Sequence, residues 1–364
     1  MSDSQSRSEV DWSLFPGNAF SGSDEQVPWM RGGLQKWGLC ESLIARSQAC
    51  RHRDPEQMVL LAERAVAIAT ELDAMEYGPE RTADMRARTL AELANAHRVG
   101  DDLEAAERAM RQAVAWLSRG SQDPLLLARI MDLTASLRGY QRRFGEALDL
   151  LDIVYRLYES HGDRHNAGRA LISKGLYTGY NNAPEEAIEF LGAGLAMINP
   201  AADPKLVISA VHNLMYFLTD CGRFHQAQRL LRRSRRAYFA QNDQLNLIKL
   251  VWLEGKIDAG LGQFRRAEKS LQKAHQDLES LGLDYHAALV SLDLSMVLLS
   301  QGETAEARGL IEEMVATFRA RQIAREALAA LLLLKESFET EKTLSLELLQ
   351  AVAKHLERSK HPLA

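Results

Sequence analysis

The chain has 364 residues, 46% hydrophobic and 26% charged, with 44 basic against 49 acidic side chains and a net charge of −5. That balance excludes a disordered polypeptide, and it argues against a protein that grips nucleic acid through a general basic surplus. Only 9 prolines occur, and none falls between Lys205 and His361, which excludes collagen-like and Pro-rich architectures and favours helices.

The first segment, residues 1–36, is rich in Ser, Gly and Asp yet carries Trp12, Phe15, Phe20 and Trp29. Two readings fit it: a flexible leader, or an aromatic arm that packs on the rest of the chain or wraps a partner. No basic segment followed by an apolar one marks it as a secretion signal.

Residues 37–80 read as a degenerate first repeat. Pro55-Glu56-Gln57-Met58 is similar to Pro184-Glu185-Glu186-Ala187 further on, with an insertion near Tyr77-Gly78-Pro79. Residues 81–322 then show a period of about 40. Alanine recurs at Ala106, Ala147, Ala187, Ala227, Ala267 and Ala307, a column far above chance with 49 alanines in the chain. Four residues later stand Met110, Leu151, Leu191, Leu231, Leu271 and Ile311. Seven later the residues are mostly small, and this spacing of 0, 4 and 7 is one face of a helix.

An earlier helix in each period has its own column of mostly small residues, Ala94, Ala135, Gly175, Met215, Gly255 and Ser295, twelve positions before each alanine. Short Gly-, Asn- and Pro-bearing segments such as Cys221-Gly222-Arg223 and Leu261-Gly262-Gln263 separate the helices. Each period is predicted to be helix, turn, helix, turn. Beyond it, residues 323–364 read as capping helices, with Glu347, Lys354, Glu357 and Arg358 supplying a polar outer face.

These columns resemble the tetratricopeptide repeat (TPR) family, in its long-period bacterial form. The mostly small residue at the eighth position, the alanine at the twentieth and the apolar residue at the twenty-fourth follow the family's offsets across six repeats. The family's proline near the thirty-second position is replaced by Ser118, Glu159, Asn199, Phe239, Glu279 and Arg319. The resemblance implies an all-α fold, a right-handed α-solenoid of antiparallel helix pairs forming a TPR-like superhelix.

Motifs for chemistry are scarce. The sequence has no phosphate-binding Gly-rich loop with its lysine, no HExxH, no paired CxxC and no Gly-x-Ser-x-Gly. His161 and His165 flank a Gly-Asp turn without an identifiable third ligand, and Cys40, Cys50 and Cys221 have no metal-type spacing. The expectation is therefore a non-catalytic chain with no cofactor and no metal. The longest apolar run, Ala327 to Leu334, is too short for a bilayer span, so a cytoplasmic location without membrane contact is expected.

The resemblance also implies a concave groove lined by the first helix of each repeat. Carried over by position, the lining is Arg88, Asn95, Arg129, Tyr140, Arg169 and Tyr180, followed by His212, Tyr216, Lys249, Trp252 and Lys256. Arginines interleaved with Tyr and Trp suit an extended acidic peptide, because guanidinium forks bind carboxylates and aromatics give contact area at low entropy cost. The alternative is that Arg88, Arg129 and Arg169 form ion pairs between repeats or lie on solvated faces. In the last repeats the same face turns apolar (Leu289, Leu292, Met296, Leu299), either covered by the C-terminal helices or open as a docking patch. The expected function is a scaffold that binds a peptide or helix of another protein, without direct nucleic-acid contact and with self-association open. The alternative is a ligand- or peptide-responsive sensor in bacterial signalling or transcription control.

Overall fold

The computed structural model describes residues 36–51, 53–320 and 349–354. The aromatic residues of the N-terminal segment and most of the predicted capping region lie outside these residues. The described residues form fifteen helices followed by a short helical segment, residues 349–354, in two compact units divided between Asn199 and Pro200.

The first unit opens with a hairpin of α1 (Lys36–Cys50) and α2 (Pro55–Thr70), then one turn of helix, α3 (Ala74–Tyr77), at the predicted insertion. Three further hairpins follow: α4 (Pro79–Val99) with α5 (Leu103–Leu117), α6 (Pro124–Tyr140) with α7 (Phe144–Ser160), and α8 (Arg164–Tyr180) with α9 (Pro184–Met197). The second unit has α10 (Pro204–Asp220) with α11 (Phe224–Gln241), α12 (Gln244–Gly260) with α13 (Phe264–Ser280), and α14 (Asp284–Ser300) with α15 (Thr304–Ala320).

The repeat columns are the packing seams. All six column alanines are 0% exposed, and the apolar residues four positions later are at most 3% exposed. The small column of the first helices explains itself at Gly175, where an added Cβ would lie 2.8 Å from the Leu191 Cγ and 3.0 Å from the Leu191 backbone nitrogen. Gly255 sits equally close to Leu271, the corresponding residue one period pair further on. The small residue of one helix thus receives the large residue of its partner, and the two axes approach closely.

Helix starts follow the same arithmetic. Asp123, Asp163, Asp203 and Asp243 are spaced by 40, and each side chain accepts a hydrogen bond from a backbone N–H in the first turn of α6, α8, α10 or α12. An N-cap of this kind satisfies a donor that the helix leaves unpaired. Two residues before most helices the backbone turns left-handed, at Gly162, Asn182, Gly222, Asn242, Gly262, Gly282 and Gly302. Gly and Asn tolerate that conformation best, although Arg142 adopts it too.

The apolar face of the last repeat is covered. Leu349, Val352 and Ala353 pack with Tyr285, Ala288, Leu289 and Leu292 in one core cluster, and Met296 and Leu299 lie against it. Lys354 reaches Asp220, 3.7 Å away at the end of α10. Of the two readings of this face, coverage by the C-terminal segment is the observed one, so it does not form an open docking patch. Cys221, at the C-cap of α10, is half-buried.

Candidate functional site

Side chains of α1, α4, α6 and α8 converge in the first unit on a cleft of about 520 Å³, with Tyr158 of α7 also in its lining. Its lining carries three arginines (Arg81, Arg88, Arg129) and four carboxylates (Asp84, Glu92, Asp123, Asp163), with Trp37, Met85, Leu125, Leu126 and Asn166 among the remainder. Several of these positions are set by the caps: Asp163 takes the Asn166 backbone N–H at 3.1 Å and its side-chain amide at 2.7 Å. Asp84 accepts from the Ser121 hydroxyl at 2.6 Å and thereby ties α4 to the turn before α6.

Arg129 is the centre of the cleft's charge. Its Nη2 and Nε donate to one oxygen of Glu92, at 2.8 and 3.1 Å, and its Nη1 stands 3.5 Å from Asp132. Glu92 is 2% exposed, and its second oxygen has no hydrogen-bond partner among the described residues. Burial pulls the Arg129 guanidinium down, but the charges of Glu92 and Asp132 outweigh it and the net shift is upward. Tyr158, buried beside Asp132, is pushed up to about 12, first by burial and then by that carboxylate. Arg88 pairs with Glu41 of α1 at 2.7 Å in a half-exposed setting.

The other predicted residues of this unit are held differently. Asn95 is 5% exposed and its Oδ1 accepts from Arg98 Nη2 at 2.7 Å, while the Arg98 guanidinium lies 4.3 Å over the Tyr140 ring. Tyr180 packs against Phe144, 6.2 Å between ring centres. Arg169 is half-buried and acts electrostatically on Tyr158 and Arg51. Arg88 and Arg129 therefore share the cleft, whereas Asn95, Tyr140, Arg169 and Tyr180 are not among its lining.

In the second unit two of the five predicted residues meet at a buried carboxylate, and a third lies against one of them. Trp252 Nε1 donates to Asp293 Oδ2 at 2.6 Å, and Lys256 Nζ is 3.5 Å from the same oxygen and 5.5 Å from the centre of the Tyr216 ring. Asp293 is 4% exposed. The His212 ring lies tilted 6.4 Å from that of Tyr238, and burial, reinforced by Lys249, takes it down to about 3. Burial takes Lys249 itself down to about 8.

Position in the repeat thus identified most of the basic residues but not the acids that receive them. Glu92 and Asp293 were missed. The signal for Glu92 and Asp293 is an acidic residue on the buried side of a first helix, a location that requires a partner. Among the described residues no group of three or more His, Cys, Asp or Glu is placed to hold a metal ion, and no helix is long and apolar enough to cross a membrane.

With this geometry the fold is that of TPR-like helical repeats. No protein-family model and no curated protein matches the sequence. Among solved structures, a Rap protein complexed with competence and sporulation factor superposes with a TM-score of 0.65 at 10% identity, over 88% of each chain. The apo form of the quorum sensor NprR from B. thuringiensis gives 0.63 at 15% identity, over 85% of this chain and 84% of its own. Aspartyl phosphate phosphatase F from Bacillus subtilis gives 0.57 at 13% identity, over 77% and 70%. At these identities the similarity is one of fold.

Proposed function

We propose that this chain is a non-catalytic interaction scaffold of the cytoplasm that binds a short peptide or helical segment of a partner in the cleft of its first unit. The observation that carries the reading is the lining itself. Three arginines, four carboxylates and the side chains of Trp37, Leu125 and Leu126 converge from successive first helices on one 520 Å³ space. Such a wall reads an extended chain through alternating polar and apolar contacts. Because Arg129 is committed to Glu92 and Asp132, the fitting peptide carries both signs of charge and is not uniformly acidic. Fold neighbours solved with competence and sporulation factor, or as NprR with its cognate peptide NprX, support a peptide as the ligand class.

A second reading is favoured by the match to a quorum sensor: the peptide is a signal, and its binding alters the chain's affinity for an effector. Both readings are tested by screening a library of short peptides by fluorescence anisotropy. Peptides that bind are expected to lose about tenfold or more in affinity with Arg88→Ala or Asn166→Ala, and little with Lys256→Ala. A screen without binders, or binders indifferent to Arg88 and Asn166, would overturn the assignment. Hydrogen exchange with a bound peptide separates the two readings: protection confined to α1, α4, α6 and α8 marks a scaffold, and changes spread through the second unit mark a sensor.

A further inference from the structure

The outward face of α11 has no counterpart elsewhere in the described chain. Its eighteen residues contain five arginines and neither Asp nor Glu, although the whole protein carries a net charge of −5. Arg229, Arg232, Arg233 and Arg236 are spaced i, i+3, i+4 and i+7, so they form one stripe on a single face, and all four are exposed. The buried face, with Ala227, Leu230, Leu231 and Tyr238, lies on the other side. Phe239, 58% exposed, continues the stripe at its C-terminal end.

The neighbouring repeat extends this surface. On α13, Arg265, Lys269 and Lys273 are spaced by four and exposed. The two helices are tied through α12, whose buried Asp258 lies 3.5 Å from Arg266 of α13 and also feels the charge of Arg232 of α11. Arg229, Arg236, Arg265, Lys269 and Lys273 make no hydrogen bond or ion pair among the described residues.

An ordinary solvated helix face does not look like this. On α5, Glu104 faces Arg108 and Glu107 faces Arg111 at i, i+4, the arrangement that stabilises a helix. On α11 the corresponding pairs, Arg229 with Arg233 and Arg232 with Arg236, are of like sign and destabilise it. Arg229 and Arg236, which make no hydrogen bond or ion pair among the described residues, are left for an anionic surface to meet.

We propose that the outward face of α11, extended by α13, docks an Asp- and Glu-rich segment of a partner protein. The site shares no residue with the cleft of the first unit, and neither assignment depends on the other. Arginine forks take carboxylates bidentately, and an exposed aromatic at the end of an arginine stripe is the composition of a protein interface. The stripe spans only about 10 Å along the helix. A long polyanion would run past it onto a chain that is acidic as a whole, which disfavours nucleic acid.

The test uses the full chain and three fluorescent probes: a Glu-rich helical peptide, an oligothymidylate, and vesicles containing phosphatidylserine. The peptide is expected to bind with an affinity that falls as salt rises, and Arg229→Glu/Arg233→Glu to weaken it by about tenfold or more. The reversal Arg108→Glu/Arg111→Glu on α5 is expected to leave it unchanged. Arg229→Gln/Arg236→Gln, with less demand on the fold, is expected to show a smaller loss in the same direction. The proposal fails if the peptide does not bind at low salt, or if binding is indifferent to the α11 variants. It also fails if the oligothymidylate or the vesicles bind more tightly than the peptide with the same dependence on α11.

Discussion

Arg129, Lys256 and His212 were chosen by one rule, their position on the first helix of a repeat, and the structure treats each of them differently. Arg129 and Lys256 give their charge to carboxylates of a neighbouring repeat, Glu92 and Asp293, so they hold repeats together. His212 has no such acid and stays neutral, with Nδ1 unpartnered among the described residues and its titration depressed to about 3 by burial. The sign of the consequence follows from linkage. Above about pH 6.5 the ring is neutral in both folded and unfolded chains, and the stability it permits is fully present. As pH falls from 6.5 toward 3 only the unfolded chain takes up the proton, so stability is lost at about 1.4 kcal/mol per pH unit. Urea denaturation at pH 6.5 and pH 5 is expected to show the wild type losing about 2 kcal/mol more than His212→Asn. Equal losses in the two proteins would mean that the ring titrates while folded.

At the scale of the element, hairpin geometry was legible because close packing leaves a trace in residue size. A helix axis approaches its partner closely where one side chain is small, and that condition recurs in most repeats. Gly175 gives a sharp case. In Gly175→Ala the new methyl would meet Leu191 at 2.8 Å and the backbone of Ala187 and Leu191 at 3.0 Å. The expected cost is about 1–3 kcal/mol, read as a lowered melting temperature with unchanged helical content in the cold. Full stability would show that α8 and α9 can move apart. The N-cap aspartates at 123, 163, 203 and 243 are equally visible in the sequence as a column of period 40. The arginine stripe of α11 was hidden for another reason: overall composition averages a local surplus of five charges into a chain of net −5.

For the molecule as a whole, repeats that contact mainly their neighbours make stability a sum of local terms. Each unit carries its own apolar clusters, among them one joining α4, α5 and α6 in the first and one joining α12 to α15 in the second. Ala267→Leu, at a column alanine that is 0% exposed, is therefore expected to speed amide exchange in α12, α13 and α14 while α4 to α7 keep most of their protection. Uniform acceleration through both units would show a single cooperative transition instead. What the residues in order were enough to specify is whatever repeats: the helix pairs, their crossing points, their turns and the face each presents. These depend on side-chain size and backbone conformation at fixed spacing, which are local properties. Which acid meets which base, which apolar face is already covered by the chain's own C-terminal segment, and where a cleft of 520 Å³ opens depended on residues up to some tens of positions apart coming together. Ion pairing and enclosure are set by distances in space, and only the folded structure supplies those.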